Sequence, residues 1–145
     1  MAAISGVGTS FFRWNTGTGA WVKIAQVKSI AGPTMTRAFI DTTTLDTTGG
    51  YRTFIAGFRD PGQITLSMNF ERTGYELMKL DFESELVQNY QIVLPDTDST
   101  SLSFEGLVTE LPLNIPTDDV VTADVTIKVT GQVTLESGSQ TASPV

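Results

Sequence analysis

The sequence predicts a mainly β fold: a β-sandwich or half-barrel with one flanking α-helix and a long inter-strand loop. Three observations carry that expectation. In residues 63–70, Ile64, Leu66, Met68 and Phe70 alternate with Gln63, Thr65, Ser67 and Asn69, the period of two that gives a strand one apolar and one polar face. In residues 123–133 the alternation repeats over a longer stretch, with Val125, Ile127 and Val129 against Asp124, Thr126 and Lys128; Gly131 marks a bend or bulge there. Between them, Thr73 stands three residues before Glu76, the spacing at which a hydroxyl and a carboxylate satisfy each other's free amides at a helix start.

Taken in chain order, residues 1–8 are small and polar and read as an N-terminal arm. Gly17-Thr18-Gly19 lies between Trp14 and Trp21 and reads as a hairpin turn, since it lacks the third glycine and the flanking elements of a phosphate-binding loop. A strand is expected over residues 21–30. Phe11, Phe12, Trp14 and Trp21 could stack on sugars or bases; core packing or a subunit contact is the simpler reading.

Residues 40–62 form the long loop. They are too rich in Thr and Gly for a helix and too apolar for a solvated connection, with Leu45, Tyr51, Phe54, Ile55 and Phe58 beside Arg52, Arg59 and Asp60. Such a segment either folds back on the domain's own core or offers a contact surface to a partner. The second alternative makes Leu45, Tyr51, Arg52, Phe54, Phe58, Arg59 and Asp60 candidate inter-subunit contacts.

The helix should run from Thr73 to about Glu85 across the mouth or side of the sheet, with Leu77, Met78, Asp81 and Phe82 forming an imperfect stripe. Strands are expected over residues 89–94 and 101–111, separated by a turn at Pro95-Asp96-Thr97-Asp98-Ser99. Asp96-Thr97-Asp98 lacks the Gly and closing Glu of a calcium loop. Asp118-Asp119, after Pro116, reads as a polar turn. Residues 137–145 read as a flexible C-terminal arm, so the expected organisation is a single domain over 1–145.

Composition narrows function by elimination. The 145 residues contain no Cys and no His, which removes disulfides, Cys/His metal sites, thiol nucleophiles and imidazole bases. Ser is plentiful but has no evident base, and an enzyme is not expected; nor is any cofactor or metal. Nine basic against 16 acidic residues give −7 at pH 7, the wrong sign for wrapping phosphates. No run reaches the roughly 20 apolar residues of a membrane span, and residues 1–10 lack a secretory pattern, so a soluble protein made in a cytoplasm, without a membrane anchor, is expected.

The order and spacing of several motifs resemble the major tail tube proteins of long, non-contractile-tailed phages, the lambda-type branch. These motifs are Ser29-Ile30-Ala31-Gly32-Pro33; Ile40-Asp41-Thr42-Thr43 with Leu45-Asp46; Gly57-Phe58-Arg59-Asp60-Pro61-Gly62; and Val93-Leu94-Pro95-Asp96. The likeness continues through Phe104-Glu105-Gly106-Leu107-Val108-Thr109 and from Pro116 to Gly131, so it covers the chain from Trp21 to Val133. The resemblance implies a virion protein of the tail that assembles as hexameric rings stacked into a tube, through which double-stranded DNA passes without tight binding. It also implies tape measure and tail tip or terminator proteins as partners, and synthesis in the host bacterial cytoplasm. In such a tube the polar strand faces, with Glu105 and Asp124 nominated, would line the lumen. Two other readings are a tube protein of a contractile-tail or secretion-like system, and a carbohydrate-binding β-sandwich using Trp14 and Trp21.

Overall fold

The computed structural model describes residues 3, 6–24, 27–46 and 48–137. The expected arms at 1–8 and 137–145 are described only at residues 3, 6–8 and 137; the remainder of both lies outside the described residues. The strands are β1 (Ser10–Asn15), β2 (Ala20–Ile24), β3 (Val27–Ala31), β4 (Thr36–Asp41), β5 (Phe54–Asp60), β6 (Gln63–Asn69), β7 (Gln88–Val93), β8 (Ser101–Glu110), β9 (Leu113–Asn114) and β10 (Thr122–Glu136), with one helix, α1 (Arg72–Glu83), between β6 and β7.

Eight strands form one sheet in the order β2-β1-β7-β8-β10-β6-β3, with β9 paired to the start of β10; β4 and β5 form a separate ribbon. The expected single strand over 21–30 is therefore two, and they sit at opposite ends of the sheet. The apolar pattern runs through the break, so local sequence does not announce it. The break dictates the fold. In a flat sheet the first and last of these strands would lie about 29 Å apart, at roughly 4.8 Å per step. Ile24 and Val27 are three peptide units apart, which caps their separation near 11 Å. The sheet must curl into a half-barrel, with one concave apolar face.

That face holds the core. Ile64, Leu66 and Met68 of β6 and Val125, Ile127 and Val129 of β10 are buried, as their alternation requires, and the two strands pair from Thr122↔Asn69 to Lys128↔Gln63. On the far side Phe11, Tyr90 and Phe104 stack across β1, β7 and β8, with ring centroids 5.6 and 5.7 Å apart. Gly106 is required here by close approach: a Cβ would lie 2.7 Å from Ile127 Cγ2 and 2.8 Å from the Lys128 carbonyl oxygen.

The N-cap of helix α1 lies two residues before Thr73, the cap its signature suggests. Arg72 is already helical, and Glu71, in extended conformation, makes no side-chain cap. The Glu76 carboxylate that would have completed the box instead accepts from Arg72 Nε at 2.7 Å. The helix ends at Glu83, short of the expected Glu85, where the Ser84 N–H donates to the Leu80 carbonyl. Its inward face is Gly74, Met78 and Asp81, while Phe82 is exposed. A Cβ on Gly74 would stand 3.2 Å from Met68 Cε and 3.6 Å from Ile24 Cγ2, so one helical residue touches β6 and β2, strands that are not paired neighbours. The helix thus covers the opening where the curled sheet meets itself.

Asp81 fixes it there. The carboxylate is buried and accepts from Arg13 Nε and Nη2 at 2.7 and 2.6 Å and from the Tyr90 hydroxyl at 2.8 Å. The hydrogen bond to Asp81 raises the Arg13 guanidinium above its ordinary value despite burial, and burial first, then the Asp81 charge, pushes the Tyr90 phenol far above 10.0.

Two outcomes follow from this cluster. Asp81→Asn keeps the shape and removes the charge, leaving Arg13 desolvated without its counterion; it should cost about 3 kcal/mol or more, read as a lower denaturant midpoint at unchanged m-value. A loss below about 1 kcal/mol would show that α1 is held by packing alone. In alkaline unfolding, only the unfolded chain releases the Tyr90 proton. This contribution to stability is intact below about pH 10 and falls as pH rises beyond it, by up to about 1.4 kcal/mol per pH unit. Tyr90→Phe should flatten that part of the profile.

Candidate functional site

The segment expected as a loop over 40–62 is in large part an ordered ribbon. β4 and β5 pair antiparallel from Thr36↔Asp60 to Asp41↔Phe54, with a register shift between Arg37 and Phe39. The extra residue on β5 falls at Gly57 and Phe58, a bulge of the kind that re-aims side chains. Beyond the strands the Thr42 N–H donates to the Thr53 carbonyl at 2.9 Å. Asp41 accepts from the Thr43 N–H at 2.8 Å, and the Thr43 hydroxyl oxygen accepts from the Thr53 N–H at 2.8 Å. The Thr-rich stretch is therefore the clasp at the ribbon's end. Hydrogen bonds from the Thr43 hydroxyl first, then from its N–H, hold the Asp41 carboxyl below its ordinary range. The true loop is 42–53, and Gly49 and Gly50 turn it with positive φ.

The ribbon's base is anchored to the half-barrel. Gly62, at φ +77, passes so close to Thr34 that any Cβ would collide with it, and the Gly62 carbonyl accepts from the Val129 N–H at 3.0 Å. Asp60 accepts from the Gly62 N–H at 2.8 Å and from Lys128 Nζ at 3.2 Å. The Gly62 amide, then Lys128, lowers its pKa.

Among the described residues, no element covers the ribbon outward of that base. Every residue of β4 is exposed. Phe39 and Phe54 meet edge-to-face on one side of the ribbon at 6.4 Å, Ile40 and Ile55 pair across the strands and are half-exposed, and Phe58 is 95% exposed. The lid alternative is excluded, because Leu45, Tyr51, Phe54, Ile55 and Phe58 all face outward. A two-stranded hairpin is marginal by itself in water, and apolar side chains on both faces make this one a surface built to be covered.

Of the candidate contacts, Leu45, Tyr51 and Arg52 lie in the loop, with Arg52 3.9 Å from Asp41; Phe54, Phe58, Arg59 and Asp60 belong to β5. Arg37 and Phe39 belong to the same surface and were missed because β4 was not recognised: Arg37-Ala38-Phe39-Ile40-Asp41 has no apolar–polar alternation to mark a strand. Glu105 and Asp124 are exposed on the face of the sheet opposite the core, opposite Thr130 and Ser67 respectively. Trp14 is buried and Trp21, partly buried, packs edge-on against it at 5.2 Å. Asp96 closes an ordinary turn, accepting from the Thr100 N–H and hydroxyl at 2.7 and 2.5 Å. Among the described residues, no group of three or more acids is placed to hold a metal ion, and no helix is long and apolar enough to cross a membrane.

Several solved structures share this fold. The tail of an empty gene transfer agent particle, refined with C6 symmetry, superposes with a TM-score of 0.75 at 19% identity, covering 93% of this chain and 100% of the other. The tube–sheath complex of an extracellular contractile injection system in its extended state gives 0.70 at 14%, covering 94% and 93%. The SPP1 tail tube gives 0.71 at 10%, covering 94% and 80%. No curated protein sequence matches the chain. The family model for the lambda phage tail tube protein matches residues 5–136, and with that match spanning nearly its whole length the chain belongs to the lambda phage tail tube protein family.

Proposed function

We propose that this protein assembles as hexameric rings stacked into the tail tube of a virion, the conduit through which double-stranded DNA leaves. The observation that carries the reading is the β4–β5 ribbon, apolar on both faces and uncovered among the described residues. Burying one large apolar side chain is worth about 1.5–3 kcal/mol, so covering Phe39, Phe54 and Phe58 alone offers a substantial drive toward association. The sixfold order follows the C6 symmetry of the gene transfer agent tail. Tape measure and terminator proteins would then meet the tube along its lumen and at its ends.

Glu105 and Asp124, on the polar face of the sheet, are the proposed lumen residues. Six copies at −7 each carry −42. An acidic wall repels phosphates over roughly 8 Å at physiological salt, so DNA meets no deep well along its path.

Negative-stain microscopy of concentrated protein should show rings or tubes; protein that stays monomeric overturns the reading. In the monomer, amides of β4, β5 and the 42–53 loop should exchange faster than those of β6 and β10, and become protected on assembly. Strong ribbon protection in a verified monomer would place the ribbon outside the interface. Assembled tubes should show no measurable affinity for duplex DNA even at low salt, where any hidden basic track would attract it most. Tight, salt-sensitive binding would remove the conduit mechanism and leave the tube standing.

A further inference from the structure

Arg37 and Arg59 are direct cross-strand partners in the ribbon. Directly opposed residues point to the same face, and like charges so placed repel. Both are exposed, and neither has an ion pair among the described residues, where Arg52 and Lys128 each find a carboxylate. They share their face with Phe39 and Phe54, and both line a cleft of about 760 Å3 between the ribbon's base and the Gly131 bend of β10. The surface is a pair of like charges beside Phe39 and Phe54, since the acids nearest it, Asp41 and Asp60, are already engaged by Arg52 and Lys128. It is costly alone and matched by a pair of carboxylates set the same way.

The chain carries that match on itself. In the connection between β9 and β10, Asp118 and Asp119 are adjacent and exposed, neither has a basic partner among the described residues, and Leu113, Ile115 and Val120 beside them are exposed as well. The two surfaces cannot meet within one molecule. The acidic one is tied to the start of β10, where Asn114 pairs with Thr122 and the Phe70 N–H donates to the Val121 carbonyl at 2.8 Å. The basic one is tied near its Gly131 end through Lys128 and Val129. Six to seven residues of strand separate these anchor points, roughly 20 Å. Complementary patches at opposite ends of a molecule make a heterologous, head-to-tail contact, which propagates instead of closing on a pair.

We infer that the Arg37–Arg59 face of one copy receives the Asp118–Asp119 loop of the next, and that this pairing sets the polarity of stacking. The inference rests on the tube reading above. Arg37→Glu with Arg59→Glu, and separately Asp118→Lys with Asp119→Lys, should each raise the protein concentration needed for tubes by about tenfold or more, with melting temperatures unchanged. The chain carrying all four substitutions should regain assembly, and an equimolar mixture of the two doubly substituted proteins should form mixed tubes. Arg37→Gln with Arg59→Gln serves as a milder variant; it should weaken assembly and reduce its dependence on salt. Wild-type tubes with no effect of either swap, or a loss that the fourfold variant does not restore, would overturn this pairing alone. Wild-type protein that forms no tubes at all would overturn the tube reading with it.

Discussion

A connection between Ile24 and Val27 that is shorter than the sheet is wide constrains everything else in this fold. The chain leaves β2 at one end of the sheet and enters β3 at the other, with too little length to cross a flat surface. Curling is the only solution. It creates the concave face on which Ile64, Leu66, Val125 and Ile127 meet Phe11, Tyr90 and Phe104. It also leaves an opening that a single amphipathic helix can cover. Gly74 touches both sides of that opening because the absence of a side chain lets α1 approach Ile24 and Met68 together.

The same geometry explains why a charge is tolerated in the core. Covering the opening with a helix brings Asp81 down onto β1 and β7, where water cannot follow. A buried carboxylate is expensive unless paired and fully hydrogen-bonded, and Arg13 with Tyr90 supplies three donors. The cluster is directional where apolar contacts are not, so it fixes the rotation of α1 about its own axis. Stability in this region and specificity of helix placement come from one group of atoms.

How much of this the sequence disclosed depended on whether a residue's environment was local. β6 and β10 were legible because one face is buried and the other solvated, which writes a period of two directly into Ile64–Met68 and Val125–Val129. The β4–β5 ribbon was read as a loop because neither face is buried, so its aromatics follow no contrast with a core. The division of residues 21–30 into two strands was invisible, since each half looks like a strand and only distant partners, β1 for one and β6 for the other, tell them apart. The helix start was misplaced by the Thr73–Glu76 spacing because Arg72 competes for Glu76. Asp81 looked like a flaw in an apolar stripe; its partner Arg13 lies 68 residues away. The exposed residues from Leu45 to Asp60 stand out by composition alone, whereas the opposition of Arg37 and Arg59 needs knowledge of the strand opposite.

Strand order also governs when this chain can fold. β10 lies between β8 and β6, so without it the sheet is two separate pieces, β2-β1-β7-β8 and β6-β3. β10 is also the last of the described strands in chain order. Until it is in place, neither piece has its full apolar face covered, and the contacts that close the sheet carry large loop-closure costs. Folding therefore waits for residues 122–136, and the half-barrel completes in one step as that strand fills the gap between two waiting edges.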